Sequence, residues 1–137
     1  MRHRNQDKKL GRSPEHRKAL LASLVCNLIH EKRIRTTLAK AKLARRLAER
    51  MITVGRRGSV SARRLALTYL MQKKHVATLF TEIVPKFADR SGGYTRIVKL
   101  GQRRSDGAEM ALLEWVGIEI PDKGKKKATE AGEKKHE

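Results

Sequence analysis

Sulfur, aromatic rings and acid are all scarce in this chain of 137 residues. It has one cysteine, Cys26, so no disulfide can close within it and a zinc ribbon or finger lacks its ligands. Phe, Trp and Tyr make up 4%, too few for an open sheet that stacks successive bases of a single strand. No apolar run reaches 18 residues, so no segment is expected to span a bilayer. The N-terminus has no apolar stretch behind its positive charges, so a secretory leader is not expected either. Before residue 100 the acids are only Asp7, Glu15, Glu31, Glu49, Glu82 and Asp89. They form neither the cluster that a two-metal nuclease needs nor the pair of a glycosidase. His3, His16, His30, His75 and His136 are scattered, and none joins carboxylates at metal-ligand spacing. "DRSGGYTR" lacks the spacing and the lysine of a phosphate-binding NTPase loop. The chain therefore reads as a soluble intracellular protein that is not an enzyme, with no metal, no cofactor and no small-molecule substrate.

What is abundant is positive charge. Lys and Arg number 33 against 14 Asp and Glu, a net charge of +19. A domain so charged repels itself, and the excess points to a polyanionic partner. The charge is uneven: +7 over residues 1–37, +10 over 38–90, zero over 91–120 and +2 over 121–137. The binding surface is thus expected in the first two thirds, with the last apolar stretch serving the core. A membrane surface would need exposed apolar groups opposite the basic face, and here those groups look needed inside. No membrane partner is expected.

"SPEHRKALLASLVCNLIHEK" predicts a helix, capped by Ser13, with Pro14 at its first position and a stripe of Leu21, Leu24, Val25 and Leu28. Cys26 reads as a small buried filler. "RIRTT" alternates as a short strand, Arg33 and Arg35 on one face and Ile34 on the other. Thr37 can cap a second helix from Leu38 to about Val54, with Ala44, Leu47, Ala48 and Met51 inward. Ser59 can cap a third. A fourth, "HVATLFTEIVPKFADR", presents Val76, Leu79, Phe80, Ile83 and Phe87 and should break near Ile83 or Val84, because Pro85 has no N–H. Beyond "SGG" two strand-like segments flank Asp106-Gly107, a hairpin signal. Ala108–Val116 is the most apolar strand candidate and is placed at the centre of the sheet. The result is one α+β domain, helices packed on one side of a small sheet.

Three constellations suit nucleic acid. The arm "MRHRNQDKKLGR", with Arg2, His3, Arg4, Lys8, Lys9 and Arg12, has the composition of an extended segment threading along phosphates. It leads into a helix whose first turn holds His16, Arg17 and Lys18. "RIRTTLAKAKLARR" gathers Arg33, Arg35, the hydroxyls of Thr36 and Thr37, and Lys40, Lys42, Arg45 and Arg46 near a helix N-terminus. In "DRSGGYTRIVK", Tyr94 and Arg96 alternate onto one face, where Tyr94 either meets a ligand or lies in the core. Charge spread over arm, strand and helices suits a folded RNA better than a duplex-DNA reader. A nucleoid DNA-binding protein and an RNA-processing enzyme are the rival readings.

"MRHR", "HRKAL", "IRTTLAKAK", "DRSGGYTRIVKLGQRR" and "MALLEWV" together resemble the bacterial-type large-subunit ribosomal protein L-seventeen family over residues 1–117. Ala39 and Leu43 stand where that family commonly has Pro and Glu, and Trp115 where it usually has Leu. The resemblance implies an α+β fold of about four helices on a small mixed three-stranded sheet. It implies a structural role in the cytoplasm, in the large ribosomal subunit, with large-subunit rRNA and neighbouring ribosomal proteins near the peptide exit as partners. The motif positions carry RNA contact onto Arg2, His3, Arg4, Arg12, His16, Arg17, Thr36, Thr37, Lys40, Lys42, Tyr94 and Arg96. The expected organisation is a basic RNA-binding arm over 1–13, a single domain over 14–120 and a disordered charged tail over 121–137.

Overall fold

The computed structural model describes residues 8–120. The arm residues Arg2, His3 and Arg4, and the tail 121–137, lie outside the described residues.

Helix α1 spans Pro14–Glu31; Ser13 caps it, its Oγ accepting the His16 N–H at 3.4 Å. Lys32 stops the helix in a left-handed conformation, its N–H returning to Leu28 O. Its Nζ also donates to Ile29 O at 2.9 Å and pairs with Glu82 at 3.0 Å. The inward face is Ala22, Val25, Cys26, Leu28 and Ile29. Leu21 and Leu24, expected in the stripe, are only partly buried, because α1 is also packed against the third helix, where the Cys26 thiol meets Leu70 O.

Strand β1, Arg33–Thr37, runs straight into α2, Leu38–Gly55. Ala41, Ala44 and Ala48 are fully enclosed along α2, and their lack of bulk lets this helix lie close to both α1 and the sheet. Thr37 holds the N-cap position, but its side chain makes no capping bond. Arg56 then ties the end of α2 down, donating to Arg90 O, Ala88 O and the Tyr94 hydroxyl at 3.0–3.1 Å.

Helix α3, Val60–Leu70, is capped by Ser59, whose Oγ accepts the Ala62 N–H. Helix α4, Lys73–Thr78, continues as a π turn over Leu79–Ile83 and a 3-10 turn over Val84–Phe87. Pro85 thus acts over more than one turn. The Val84 N–H reaches back five residues to Leu79 O, which widens the helix ahead of a residue that cannot donate.

Strands β2, Thr95–Gln102, and β3, Glu109–Trp115, complete a sheet of order β1-β3-β2. The most apolar strand is central, as its composition predicts. Pairing on both sides of β3 is antiparallel, without the parallel pair of a mixed sheet. The reason is that β1 and β2 run the same way but never touch. The β2–β3 turn is longer than a two-residue Asp-Gly hairpin. Arg103 N–H bonds Ala108 O, and Gly107 takes a φ of +67° to return its N–H to Arg103 O.

Ala111, Leu113 and Trp115 face the helices, and the Trp115 Nε1 donates to Leu28 O at 3.0 Å. One buried cluster joins all the helices to this inner sheet face.

Candidate nucleic-acid interface

Two basic surfaces emerge. The first surrounds α2. Lys8, Arg17, Arg46 and Arg50 line a hollow of about 320 Å³ beside Leu21 and Leu47. Lys8 also lines a second, of about 310 Å³, with Thr37, Lys42 and the first residues of α2. A third, of about 500 Å³, gathers Lys42, Arg45, Arg46 and Lys99. Lys8 of the arm and the start of α2 are thereby brought side by side. Open backbone N–H groups at a helix start favour anions, and the missing Thr37 cap leaves them accessible. Lys99 was not anticipated, although alternation along β2 puts it on the same inner edge as Thr95 and Ile97.

Residues 9–12 depart from the extended path expected of the arm. Leu10 and Gly11 have φ of 55° and 62°, the Arg12 N–H bonds Lys9 O, and Arg12 Nη1 donates to Leu10 O at 2.8 Å. Lys8 and Lys9 are exposed and Arg12 is half-buried. His16 and Lys18 are exposed on α1 and Arg17 is half-buried. Lys42 is exposed and Lys40 half-buried, and neither has an acidic partner among the described residues. Arg45 is held by Glu49 one turn on, at 3.1 Å, and the Thr95 hydroxyl donates to the same carboxylate.

The second surface is the sheet face turned away from the helices. Register places Arg33, Glu114 and Arg96 in one row and Arg35, Leu112 and Val98 in the next. The Glu114 side chain lies under the two guanidiniums and is 3% exposed, whereas Arg33 is 42% and Arg96 61% exposed. Its burial is shallow, since arginines rather than core cover it. Burial pushes the Glu114 carboxyl up, but the hydrogen bonds and charges of Arg96 and Arg33 outweigh this and hold it below the usual range. Arg35 stands exposed beside them.

Two expected contact residues point inward. Thr36 is buried on the inner face of β1, opposite Ala111, so the Thr pair splits between the two faces. Tyr94 is buried, its ring 5.3 Å from Phe87 and its hydroxyl accepting from Arg56. Strand pairing begins only at Thr95, so Tyr94 belongs to the incoming loop and does not share the outer face with Arg96.

Some cations serve the fold instead. Arg50 lies over the Tyr69 ring at 4.6 Å, and Arg56 staples the loop as described. The signal for both was weak, because their partners are distant in sequence. Between α3 and α4 an apolar groove of about 320 Å³ is lined by Val60, Leu67, Val76 and Phe80, with Arg63 over the Phe80 ring at 5.4 Å.

Among the described residues no three His, Cys, Asp or Glu side chains stand close enough to hold a metal, and no helix is long and apolar enough to cross a membrane. Burial pushes the Cys26 thiol up to about 11, which suppresses the thiolate that reactivity needs.

A family model described as Ribosomal protein L17 matches residues 20–116. A large ribosomal subunit protein bL17 of Finegoldia magna is 51% identical over 93% of this chain and 97% of its own. One of Desulfitobacterium hafniense is 53% identical over 80% of this chain and 97% of its own. A third, of Acidobacterium capsulatum, is 48% identical over 93% of this chain and 81% of its own.

Proposed function

Because this chain belongs to the ribosomal protein L17 family and so is a protein of the large ribosomal subunit, at work in translation in the cytoplasm, we propose that it serves there as a non-catalytic brace that binds large-subunit rRNA. The observation that carries this reading is the convergence of Lys8, Arg17, Lys42 and Lys99 on hollows around α2. These cations stand without acidic partners among the described residues. The second surface, with Arg33, Arg35 and Arg96, meets RNA from another side. Tyr94 and Thr36 support the interface from within.

The cations of the arm, residues 1–13, add to the rRNA contact made by the single domain over 14–120. Neighbouring ribosomal proteins near the peptide exit complete the surroundings. The mechanism is phosphate neutralisation with release of counterions, one small domain bracing several RNA elements.

Binding to large-subunit rRNA, with duplex DNA of equal length as competitor across a salt series, tests this reading. A preference for the rRNA that persists at physiological salt supports it. Equal affinities that collapse together as salt rises favour generic charge binding and overturn rRNA recognition by the isolated protein.

A further inference from the structure

On the outer sheet face, Glu114 of the central strand is flanked in register by Arg33 of β1 and Arg96 of β2. The two arginines divide its oxygens between them. Arg33 donates to Oε2, from Nε at 2.6 Å and from Nη2 as well; Arg96 donates to Oε1, from Nε at 2.8 Å and from Nη2 as well. Each guanidinium therefore spends the same edge on the carboxylate and leaves its Nη1 without a partner among the described residues. Two positive charges and one negative leave the row at net +1.

Stability alone does not call for this arrangement. A shielded ion triplet is often no better for a fold than apolar side chains of similar volume, and Leu112 and Val98 occupy the next row of the same face. What the carboxylate does supply is direction. Arginine has long, freely rotating stems, and fixing its planar fork in advance removes that cost from the binding step.

We propose that Glu114 is a positioning residue, holding Arg33 and Arg96 as a preformed two-guanidinium clamp on the phosphodiester backbone of RNA. The inference rests on the RNA-binding reading and deepens it. Both guanidiniums are held by one carboxylate on the same row of the outer face, and each keeps its Nη1 for a further acceptor. Arg35, exposed in the adjacent row, adds to the local field without being part of the clamp.

The test exploits a sign. Glu114→Gln removes a negative charge, so if only total charge matters, binding stays equal or tightens. If the carboxylate positions the arginines, binding to transcribed large-subunit rRNA weakens by about tenfold, the worth of one charge-assisted hydrogen bond. The slope of log affinity against log salt should fall by about one unit. In the Arg33→Ala/Arg96→Ala background, Glu114→Gln should cost nothing further. Arg33→Lys/Arg96→Lys, which keeps every charge and leaves Glu114 paired, should weaken binding similarly and covers the case in which Glu114→Gln unfolds.

Binding at wild-type strength in Glu114→Gln or in the double lysine variant overturns the clamp. Lys42→Ala/Lys99→Ala is the control for the underlying reading. If it weakens rRNA binding while the Glu114 and lysine variants do not, the clamp fails and the RNA reading stands. If none of the variants alters rRNA binding, both fail.

Discussion

Around α2 and on the outer face of the sheet, two dense sets of cations are held in opposite ways. Lys8, Lys40 and Lys42 belong to arm and helix, and no acidic group among the described residues engages them. Across the sheet, Arg33 and Arg96 share Glu114, and in the turn beyond, Arg103 grips Asp106 at 2.6–2.9 Å. The sum of charges hides this contrast, since it records residues 91–120 as neutral. A neutral segment can still present oriented arginines, because the acid that cancels the charge also directs it. On the proposed reading, the α2 surface attracts a polyanion at long range and the sheet surface fixes its position.

The sharpest way to break the contrast is to destroy one surface and watch the other. Trp115→Ala removes the largest fully buried side chain and its bond to Leu28 O. It should cost about 3–5 kcal/mol, read as a lower urea midpoint, and the sheet surface should go with it. Deleting residues 1–12 should do the reverse, leaving the midpoint unchanged while rRNA affinity falls on the order of a hundredfold at low salt as several phosphate contacts are lost. Unchanged affinity would remove the arm from the interface.

Between these lies Gly55→Ala. A Cβ there would collide with Val84 Cγ2, so α2 and the 3-10 turn must separate. Thermal melting should show a loss of about 1–3 kcal/mol, with rRNA binding scaled only by the folded fraction.

The smallest effect is in the pH profile. Burial, helped by His30 and Lys74, lowers the His75 imidazole below its ordinary 6.5. The unfolded chain then holds a proton that the folded one resists, so stability declines as pH drops below about 6.5. Glu114, held below the 4.5 of a free glutamate, adds a second decline below that value as its carboxylate takes up a proton. His75→Gln should flatten the first decline and Glu114→Gln the second, in melting curves recorded from pH 7.5 to 3.5.

Local chemistry made much of the fold legible. Ser13 and Ser59 cap where their position before a helical run says they should, "RIRTT" alternates as written, and apolarity alone puts β3 at the centre. Of the Leu21 stripe, Val25 and Leu28 are fully buried while Leu21 and Leu24 are only partly so, because periodicity does not reveal that α1 is packed by several neighbours. For the interface, composition marked the right segments but not which way they turn. Thr36 looks like a contact residue until strand register turns it inward, and Tyr94 is turned inward by the loop that leads into β2. Glu114 gave no signal at all: its partners lie 81 and 18 positions away, and only the sheet brings the three together. Arg56 was hidden for the same reason, an arginine in a basic turn whose acceptors lie 32–38 residues on.

The strand order has a consequence for how the protein is made. β3 is the last element of the described chain to be synthesised, yet it is the one that both other strands need. While α1, α2 and α3 can begin to assemble on the nascent chain, β1 and β2 wait as unpaired edges, and closing the sheet carries the high entropic cost of long-range contacts. A product that ends before Glu109 has most of the cations but neither the sheet nor the carboxylate that orders its arginines. Its charge is nearly that of the whole protein, but its outer face has no central strand to be built on.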